Sequence, residues 1–286
     1  MKQRKHEPTP IIDIDTSTII EGNALHVVAS LPSNFFQAVI TSPPYWGLRD
    51  YEMEGQIGLE PTFDQFINHL VAVFSEVKRV LRDDGTLWIN VGDGYTSGNR
   101  GYRAPDKKNP ARAMSTRPDT PNGLKRKDLI GIPWRLAFEL QRDGWYLRSD
   151  IVWHKPNSMP ESVKDRPSRA HEYLFLLSKS EHYFFDNSVF IDDSGKKRRS
   201  VWTVSTESVN EGHFATFPVK LIEPCIQAST RTGDYVLDPF FGSGTVGIGS
   251  INHQREFVGI ELNPDYVNIA NNRISNNENK VLKFVA

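Results

Sequence analysis

The chain has 286 residues, of which 38% are hydrophobic and 24% are charged, and its formal net charge is −1. This length suits one large α/β domain or two small ones with an ample core, and the near-neutral charge excludes a uniformly basic nucleic-acid coat. No apolar run approaches the length of a membrane span, and the first residues are polar and basic, so we expect a cytoplasmic protein. The single cysteine, Cys225, excludes an internal disulfide framework, and the scattered histidines predict no metal site.

Segments typical of strands alternate with segments typical of helices. The strand candidates are, in chain order, Thr18–Ile20, Gln37–Thr41, Thr86–Val91, Tyr146–Trp153, His171–Leu177, Tyr235–Asp238 and Phe257–Glu261. This alternation predicts a doubly wound, mostly parallel sheet, and ligands bind such sheets at the carboxyl ends of the strands.

Capping residues predict where several helices begin and end. Thr62, followed three residues later by Gln65, forms a capping box for an amphipathic helix, which we expect to stop at the Asp-Gly pair of residues 84–85. Pro133 is expected to begin another helix. The Asn-Pro-Asp triplet of residues 263–265 supplies an N-cap, a first-turn proline and a first-turn acid, so it predicts a final helix.

The first strong motif is Thr-Ser-Pro-Pro-Tyr-Trp at residues 41–46, directly after a strand candidate. The two prolines fix φ and remove two backbone donors, so the end of the strand presents carbonyl oxygens without competing N–H groups. Ser42 on one side and the aromatic face of Tyr45 on the other complete a cradle for a flat molecule that donates hydrogen bonds, such as a nucleobase amine. Taken alone, Pro43-Pro44-Tyr45 could equally be a rigid turn with a buried tyrosine.

Residues 95–128 contain nine Lys or Arg against three Asp, and they lack hydrophobic periodicity. A segment of this length and composition predicts an inserted basic loop that contacts phosphates. A second basic cluster occupies residues 196–199, and for that cluster a plain solvated surface remains an equal alternative. The candidate nucleic-acid contacts are Arg100, Arg103, Lys107, Lys108, Arg112, Lys125, Arg126, Lys127, Lys197 and Arg198.

The second strong motif, at residues 235–245, combines a strand, a tight glycine turn and the start of a helix. Its glycines satisfy the G-x-G-x-x-G pattern with Gly242, Gly244 and Gly247. Glu261 closes the next strand at a spacing suited to a ribose diol, so a nicotinamide cofactor is one alternative. However, the first glycine of that pattern usually follows the strand directly, whereas here Asp-Pro-Phe-Phe (residues 238–241) precedes it, and Asp238 would repel a pyrophosphate. A carboxylate there would attract the ammonium and sulfonium groups of S-adenosylmethionine instead.

With both motifs in hand, the chain resembles the amino-group DNA methyltransferases, and most closely their β-class, in which the catalytic motif precedes the cofactor motif. The family's catalytic tetrapeptide, Asp/Asn/Ser-Pro-Pro-Tyr/Phe, is matched by Ser42–Tyr45, and its cofactor motif by residues 238–245. Residues 84–93, 151–157 and 213–218 match further family elements, and the last of these closes the methionine end of the cofactor pocket. The resemblance covers roughly residues 18–275.

The resemblance implies an α/β, Rossmann-like, S-adenosylmethionine-dependent methyltransferase fold. Its mostly parallel sheet has seven strands and is circularly permuted, with the basic loop inserted. The implied organisation is a single domain over 1–286, with a catalytic half at 12–94, the basic loop at 95–128, further catalytic-half strands at 129–185, a short target-recognition segment at 186–212 and a cofactor-binding half at 213–286.

The implied function is sequence-specific methylation of an exocyclic amine in double-stranded DNA, without a metal. Serine at the first motif position is typical of cytosine-N4 enzymes, and adenine-N6 methylation remains the alternative. A NAD(P)-dependent oxidoreductase and a non-enzymatic DNA-binding module are the alternatives from other classes. The implied catalytic residues are Ser42, Pro43, Pro44 and Tyr45, and the implied cofactor-binding residues are Asp238, Phe240, Gly242, Gly244, Thr245, Glu261, His213 and Phe217.

The family resemblance also implies a bacterial or phage-encoded enzyme, a monomer or a homodimer, that pairs with a restriction endonuclease. Pro224-Cys225 resembles the nucleophile of cytosine-C5 methyltransferases, but there the pair should follow the cofactor glycines, and here it precedes them. We therefore expect Cys225 to be a small core residue. Because proline has no N–H to donate, we expect the helix around Pro224 to break or to begin anew at that residue.

Overall fold

The computed structural model describes residues 14, 16–96, 118–207 and 217–285, with residues 278–285 described by their backbone alone. Its strands are β1 (Thr18–Glu21), β2 (Phe36–Thr41), β3 (Leu81–Val91), β4 (Tyr146–His154), β5 (His171–Ser178), β6 (Val201–Thr203), β7 (Tyr235–Asp238) and β8 (Glu256–Glu261). Its helices are α1 (Ala24–Ser30), α2 (Phe63–Val80), α3 (Ile132–Arg142), α4 (Val219–Ser229), α5 (Thr245–Asn252) and α6 (Pro264–Val285).

The strands form one sheet in the order β1-β8-β7-β2-β3-β5-β4-β6. Neighbouring strands are parallel except that β5 runs antiparallel to β3 and β4. The mostly parallel α/β sheet is therefore confirmed, and all seven predicted strands are present. It has one strand more than expected, because β6, inside the segment predicted for target recognition, pairs with β4 at the edge. Three residues are too few to show alternation, but Trp202 within β6 is 3% exposed and anchors that edge.

Helices cover both faces of the sheet, and the alternation of side chains along the strands divides the core in two. In β3, Leu87 and Ile89 belong to the cluster that packs against α1, α2 and α3. Trp88 between them belongs to the cluster that packs against α4, α5 and α6. The strands between these layers are buried on both faces, which explains why they appear in the sequence as continuous apolar runs.

Strands β2 and β7 are parallel neighbours, and Ala38 and Val39 pair with Val236 and Leu237. Parallel strands place their carboxyl ends at the same edge of a sheet, so the motifs that follow β2 and β7 meet there. This pairing connects parts of the chain that are nearly 200 residues apart in sequence.

Most of the predicted helix ends are confirmed. The N–H of Gln65 donates to the Thr62 hydroxyl at 3.2 Å, and the N–H of Asp265 donates to the Asn263 side chain at 2.9 Å. Pro133 lies in the first turn of α3. Within the parts of the chain that the structure describes, no helix is long and apolar enough to cross a membrane.

Two predicted helix ends are wrong. Helix α2 ends at Val80, not at residues 84–85, because Leu81 takes an extended conformation and begins β3 directly. Leu81 is fully buried and pairs with Phe36, so tertiary packing sets this boundary rather than a glycine cap. Helix α4 runs through Pro224 without a break. Buried side chains before and after the proline hold both turns against the sheet, which outweighs one missing hydrogen bond.

Candidate active site

A cleft opens at the carboxyl ends of β2, β7 and β8, and both sequence motifs line it. The predicted residues on its wall are Ser42, Pro43, Pro44, Tyr45, Phe217, Asp238, Phe240, Gly242, Thr245 and Glu261. Gly244 is not among the residues that line the cleft, and His213 lies outside the described residues. The cleft thus brings the predicted catalytic residues and most of the predicted cofactor residues to one place.

The glycine turn after β7 is shaped by backbone conformation and close packing. Gly242 and Gly244 have φ values of 52° and 83°, a region that favours glycine. A Cβ on Gly244 would also lie 3.1 Å from the Cβ of Ala270 on α6. Gly244 therefore builds the turn and its contact with α6. The N–H of Gly242 donates to Glu261 Oε2 at 2.7 Å, which fixes this carboxylate at the cleft.

The two phenylalanines of the second motif have different positions. Both line the cleft, but the Phe241 side chain is 3% exposed and reaches the core, where it stacks on Phe257 with ring centroids 5.5 Å apart. A Cβ on Gly259 of β8 would lie only 2.3 Å from the Phe241 ring. The absence of a side chain at Gly259 therefore allows Phe241 to anchor the glycine turn to the sheet.

Two carboxyl groups give the cleft its electrostatic character. Asp238 is 2% exposed, and burial raises its pKa to about 7, although it accepts hydrogen bonds from the Thr41 hydroxyl at 2.6 Å and the Phe240 N–H at 3.0 Å. Burial also raises the pKa of Glu261, which accepts from two backbone N–H groups. Where they are ionised, these carboxyl groups favour a cationic group beside them and oppose a pyrophosphate, although the cleft wall also carries Arg49.

Thr245 places a buried hydroxyl at the cleft. The Thr245 hydroxyl is buried and, among the described residues, forms no hydrogen bond. It lies at the start of α5 on the wall of the cleft. Buried polar groups are rarely left unpaired, so this hydroxyl is suited to contact a bound ligand.

A further part of the cleft wall comes from a segment that sequence reasoning missed. Leu48, Arg49, Tyr51, Gln56 and Ile57 follow the Pro-Pro-Tyr motif and line the cleft. The Tyr51 ring meets the Tyr266 ring of α6 edge to face, with centroids 5.7 Å apart. No periodicity or motif marks these residues in the sequence, and they reach the cleft because the chain folds back after β2.

The sequence also did not reveal the residues that contact the catalytic motif from outside the cleft. The Ser42 hydroxyl lies 3.4 Å from Asn90 Oδ1, and the Asn90 amide donates to the carbonyl of Tyr173 at 3.2 Å. The Tyr45 hydroxyl donates to Glu172 Oε2 at 2.8 Å. Burial, reinforced by the charge of Glu172, raises the pKa of Tyr45 well above its usual range, so the hydroxyl keeps its proton.

The candidate nucleic-acid contacts are divided between two locations. Lys125, Arg126 and Lys127 are exposed, and the N–H of Thr96 binds the Asp128 carbonyl at 3.0 Å, which ties this turn to the end of the catalytic half. Lys197 and Arg198 lie beside β6 at the sheet edge, and Arg198 stacks on Trp202 at 4.1 Å. The other predicted contacts, Arg100, Arg103, Lys107, Lys108 and Arg112, lie outside the described residues.

Cys225 is fully buried, and burial raises the pKa of its thiol, so it is a core residue as expected. Within the described ranges, no group of three or more His, Cys, Asp or Glu could hold a metal ion.

Comparison with known proteins identifies the family of the chain. The sequence profile of the DNA methylase family matches residues 36–272. The chain belongs to this family. The DNA methylase is 62% identical to the Type II methyltransferase M.Cfr9I of Citrobacter freundii over 99% of its own length and 96% of that protein's length. It is 55% identical to the Type II methyltransferase M.SmaI of Serratia marcescens over 90% of each chain.

Solved structures agree with the fold of the DNA methylase. TTHA0409 of Thermus thermophilus, solved with S-adenosyl-L-methionine, is 25% identical with a TM-score of 0.65, over 91% of this chain and 94% of that one. The cytosine-N4-specific PvuII DNA methyltransferase shares the fold at 20% identity, with a TM-score of 0.69 over 98% and 96% of the two chains. The predicted amino-group DNA methyltransferase family is confirmed, and the oxidoreductase and non-enzymatic alternatives are wrong. The protein is a site-specific DNA methyltransferase.

Proposed function

We propose that the protein transfers a methyl group from S-adenosylmethionine to the N4 amine of a cytosine extruded from double-stranded DNA. The observation that carries this proposal is the meeting of the two motifs in one cleft, where the Thr41 hydroxyl beside Ser42 donates to Asp238 of the glycine turn at 2.6 Å. A methyl donor bound at the turn would therefore lie next to the cradle that follows β2. The Type II methyltransferases among its relatives support a role in a restriction-modification system.

The cleft residues fit S-adenosylmethionine, which supplies an already activated methyl group when bound. Glu261 at the end of β8 has carboxylate lone pairs that suit a ribose diol. Asp238 provides negative charge for an ammonium group, and the unpaired Thr245 hydroxyl offers a further polar contact. Phe217 and Phe240 contribute apolar surface to the same wall.

Ser42 and Pro43 would hold the two hydrogens of the base amine. An exocyclic amine is a weak nucleophile because its lone pair is delocalised into the ring, so the site must orient that pair toward the methyl group. The Asn90 amide donates to Tyr173, which leaves its carbonyl oxygen facing the Ser42 hydroxyl. A hydroxyl whose proton is directed to Asn90 presents its oxygen lone pairs to the amine. Catalysis is then mainly positioning and electrostatics.

Tyr45 would stack on the extruded base. The amine is unreachable inside a duplex, and extrusion of a base costs a few kcal/mol. Stacking on an aromatic ring returns about 1–3 kcal/mol. A Cβ on Gly92 would lie 2.9 Å from the Tyr45 ring, so the bare glycine backbone supports that ring.

We choose cytosine over adenine because a serine such as Ser42 at the first motif position is typical of cytosine-N4 enzymes, and this association carries the choice. A serine hydroxyl is a neutral acceptor, weaker than the carboxylate that is typical of adenine-N6 enzymes. The exposed basic side chains at residues 125–127 would contact DNA phosphates and supply affinity that falls with salt.

The test is methylation of plasmid DNA by the purified protein with S-adenosylmethionine, followed by nucleoside mass spectrometry and single-molecule sequencing. We expect N4-methylcytosine at one sequence context, and N6-methyladenine would overturn the choice of base. Absence of any methylated base would overturn the proposed function. Ser42→Ala should lose most of the activity, whereas Ser75→Ala, which removes a surface hydroxyl on α2 bonded to Asp143, should retain it.

A further inference from the structure

A buried ion pair lies behind Tyr45, outside the cleft. Glu172 and Lys155 have side chains that are 15% and 16% exposed, and the Lys155 ammonium contacts Glu172 Oε1. The other oxygen of the same carboxylate, Oε2, accepts from the Tyr45 hydroxyl at 2.8 Å. Neither member of the pair lines the cleft. Their contact with the active site therefore passes through the tyrosine hydroxyl.

The neighbouring strands fix the position of this pair. Glu172 belongs to β5 and pairs with Trp153 of β4. Lys155 follows β4 directly, its N–H donates to the Ala170 carbonyl at 2.7 Å, and its ammonium lies 4.1 Å from the centre of the Trp153 ring. The carboxylate is thus held on a rigid part of the sheet rather than on a loop.

Contacts at the hydroxyl end of the side chain fix where the Tyr45 ring lies. Gly92 meets the ring closely enough that a Cβ would approach Cε2 to 2.9 Å. Glu172 accepts a hydrogen bond of 2.8 Å from the hydroxyl at this same end of the side chain. The backbone of β2 and the two prolines fix the base of the side chain. Without the carboxylate, the ring would keep the Gly92 contact and the hydrogen bonds of its hydroxyl with the Ser42 side chain and the Gly92 backbone, but it would lose its charged partner.

We propose that Glu172, held in place by Lys155, is a positioning residue that fixes the Tyr45 ring where the extruded base stacks. This inference rests on the proposed function, since it assigns a task to the same motif. A hydrogen bond to a carboxylate is stronger and more directional than one to a neutral acceptor, which suits such a task. A buried ion pair is weak evidence for stability alone because desolvation offsets the attraction.

The proposal is tested by a double-mutant cycle on Tyr45→Phe and Glu172→Gln. The readout is the single-turnover rate of methylation with saturating S-adenosylmethionine and DNA. Each single change removes or weakens the same hydrogen bond, so we expect each to slow the reaction, on the order of 10-fold for a modestly misplaced group. The double variant should be no slower than the slower single variant. Lys155→Met should reproduce the effect of Glu172→Gln, because it releases the carboxylate.

A purely structural role predicts different results. The proposal would be overturned if the rate losses of the two single variants multiplied in the double variant. It would also be overturned if the rate were unchanged and only the Tm fell. Should Glu172→Gln fail to fold, Tyr45→Phe alone decides, because full activity in that variant shows that the hydroxyl contact is dispensable. Glu139→Gln, which breaks an exposed pair with Arg142 on α3, is the matched control and should keep the wild-type rate.

A spectroscopic readout reports the stacked base directly. A duplex with 2-aminopurine at the target position should be more fluorescent when bound to Tyr45→Phe or Glu172→Gln than when bound to the wild type, because stacking on a fixed ring quenches the fluorophore. Equal fluorescence in all complexes would contradict the positioning role. Failure of the wild type to methylate DNA would instead refute the proposed function, so the two failures are distinguishable.

Discussion

The motifs after β2 and β7 lie side by side in the cleft, yet their shapes are maintained in different ways. The turn after β7 depends on glycine conformation, on the packing of Phe241 over Gly259 and on backbone bonds to Glu261. The motif after β2 depends on side chains from other strands, chiefly Asn90 and Glu172. The turn after β7 therefore depends on backbone conformation and packing, whereas the motif after β2 depends on hydrogen bonds from neighbouring side chains.

This contrast has a physical basis in what each half must do. A turn that cradles a ligand with its backbone needs space and unusual φ values, which glycine supplies. A group that must hold a flat, extruded base needs a fixed ring and a directed hydroxyl, which only neighbouring side chains can orient. We therefore expect changes near the turn to affect cofactor binding and stability, and changes behind Tyr45 to affect the rate of methyl transfer.

The largest effect is expected for Gly259→Ala. Its Cβ would lie 2.3 Å from the buried Phe241 ring, so the ring and the glycine turn must shift. Overpacking of this kind costs about 3 kcal/mol of stability. Denaturant unfolding and calorimetry should show both this loss and weaker binding of S-adenosylmethionine. The control is Gly94→Ala, whose Cβ would meet only Ile130 at 3.7 Å. Equal stability of the two variants would contradict the role assigned to Phe241.

The counterpart in the catalytic half is Gly92→Ala. The added methyl would approach the Tyr45 ring to 2.9 Å and displace it by a few tenths of an ångström. We expect the single-turnover rate to fall on the order of tenfold, because positioning dominates this chemistry. The dissociation constant for S-adenosylmethionine should remain unchanged. A parallel loss of cofactor binding would show that the two motifs are not separable in this way.

The same contrast explains what the sequence could predict. The cofactor turn is contiguous in sequence, so its glycines, Asp238 and the strand before it predicted both shape and ligand class. The residues that hold the catalytic motif in place come from β3, from β5 and from the position directly after β4, and only the sheet register brings Asn90, Glu172 and Lys155 to Ser42 and Tyr45. A single sequence carries no local signal for such contacts.

The elements that departed from prediction have a common cause. The end of α2, the continuity of α4 through Pro224 and the short strand β6 are all set by tertiary packing rather than by local propensity. Leu81 is extended because it is buried against the sheet, and Trp202 is fixed because it packs against Trp88 and Phe190. Capping residues predicted the other helix ends correctly because their hydrogen bonds are local.

The pH dependence of cofactor binding through Asp238 is a third test that distinguishes the role of the cofactor-binding half from that of the catalytic half. Burial raises its pKa to about 7, so the carboxyl is protonated in an increasing share of molecules as the pH falls below that value. A cationic ligand favours the carboxylate and must displace this proton. We expect the affinity for S-adenosylmethionine to weaken about tenfold between pH 8 and pH 6. Calorimetry in buffers of different ionisation enthalpy should detect proton release on binding.

The stability of the unliganded protein should change with pH in the opposite direction from the cofactor affinity. Because the folded pKa exceeds the unfolded value of about 3.9, this group contributes stability at low pH that is lost as the pH rises through about 7. Asp238→Asn should remove this contribution. It should also flatten the pH dependence of cofactor binding in this range, apart from a remainder of the same sign from Glu261, whose pKa is likewise raised by burial. A variant with the full wild-type pH dependence would exclude Asp238 as the titrating group.

The smallest effect is expected in the salt dependence of DNA binding, which neither motif should control. Lys125 Nζ lies 3.6 Å from Asp128 Oδ2, whereas Lys127 donates to Asp165 at 2.5 Å, and the two lysine side chains are 86% and 66% exposed. Each phosphate contact contributes about 0.9 to the slope of log K against log salt. Lys125→Ala should therefore flatten the slope more than Lys127→Ala, since the shorter contact with Asp165 neutralises more of the Lys127 charge than Asp128 neutralises of the Lys125 charge. Fluorescence anisotropy with a labelled duplex at several salt concentrations measures both slopes.

Asp165→Asn supplies the reverse change, because it frees Lys127 and should steepen the slope in a protein whose cofactor affinity is unaltered. Identical slopes in the wild type and all three variants would remove this turn from the DNA-binding surface. The basic contacts would then have to lie elsewhere, and the catalytic half would hold its substrate through the extruded base and other parts of the chain. A slope that responds as expected would instead assign DNA retention to a third region, tied to the catalytic half through the hydrogen bond between Thr96 and Asp128.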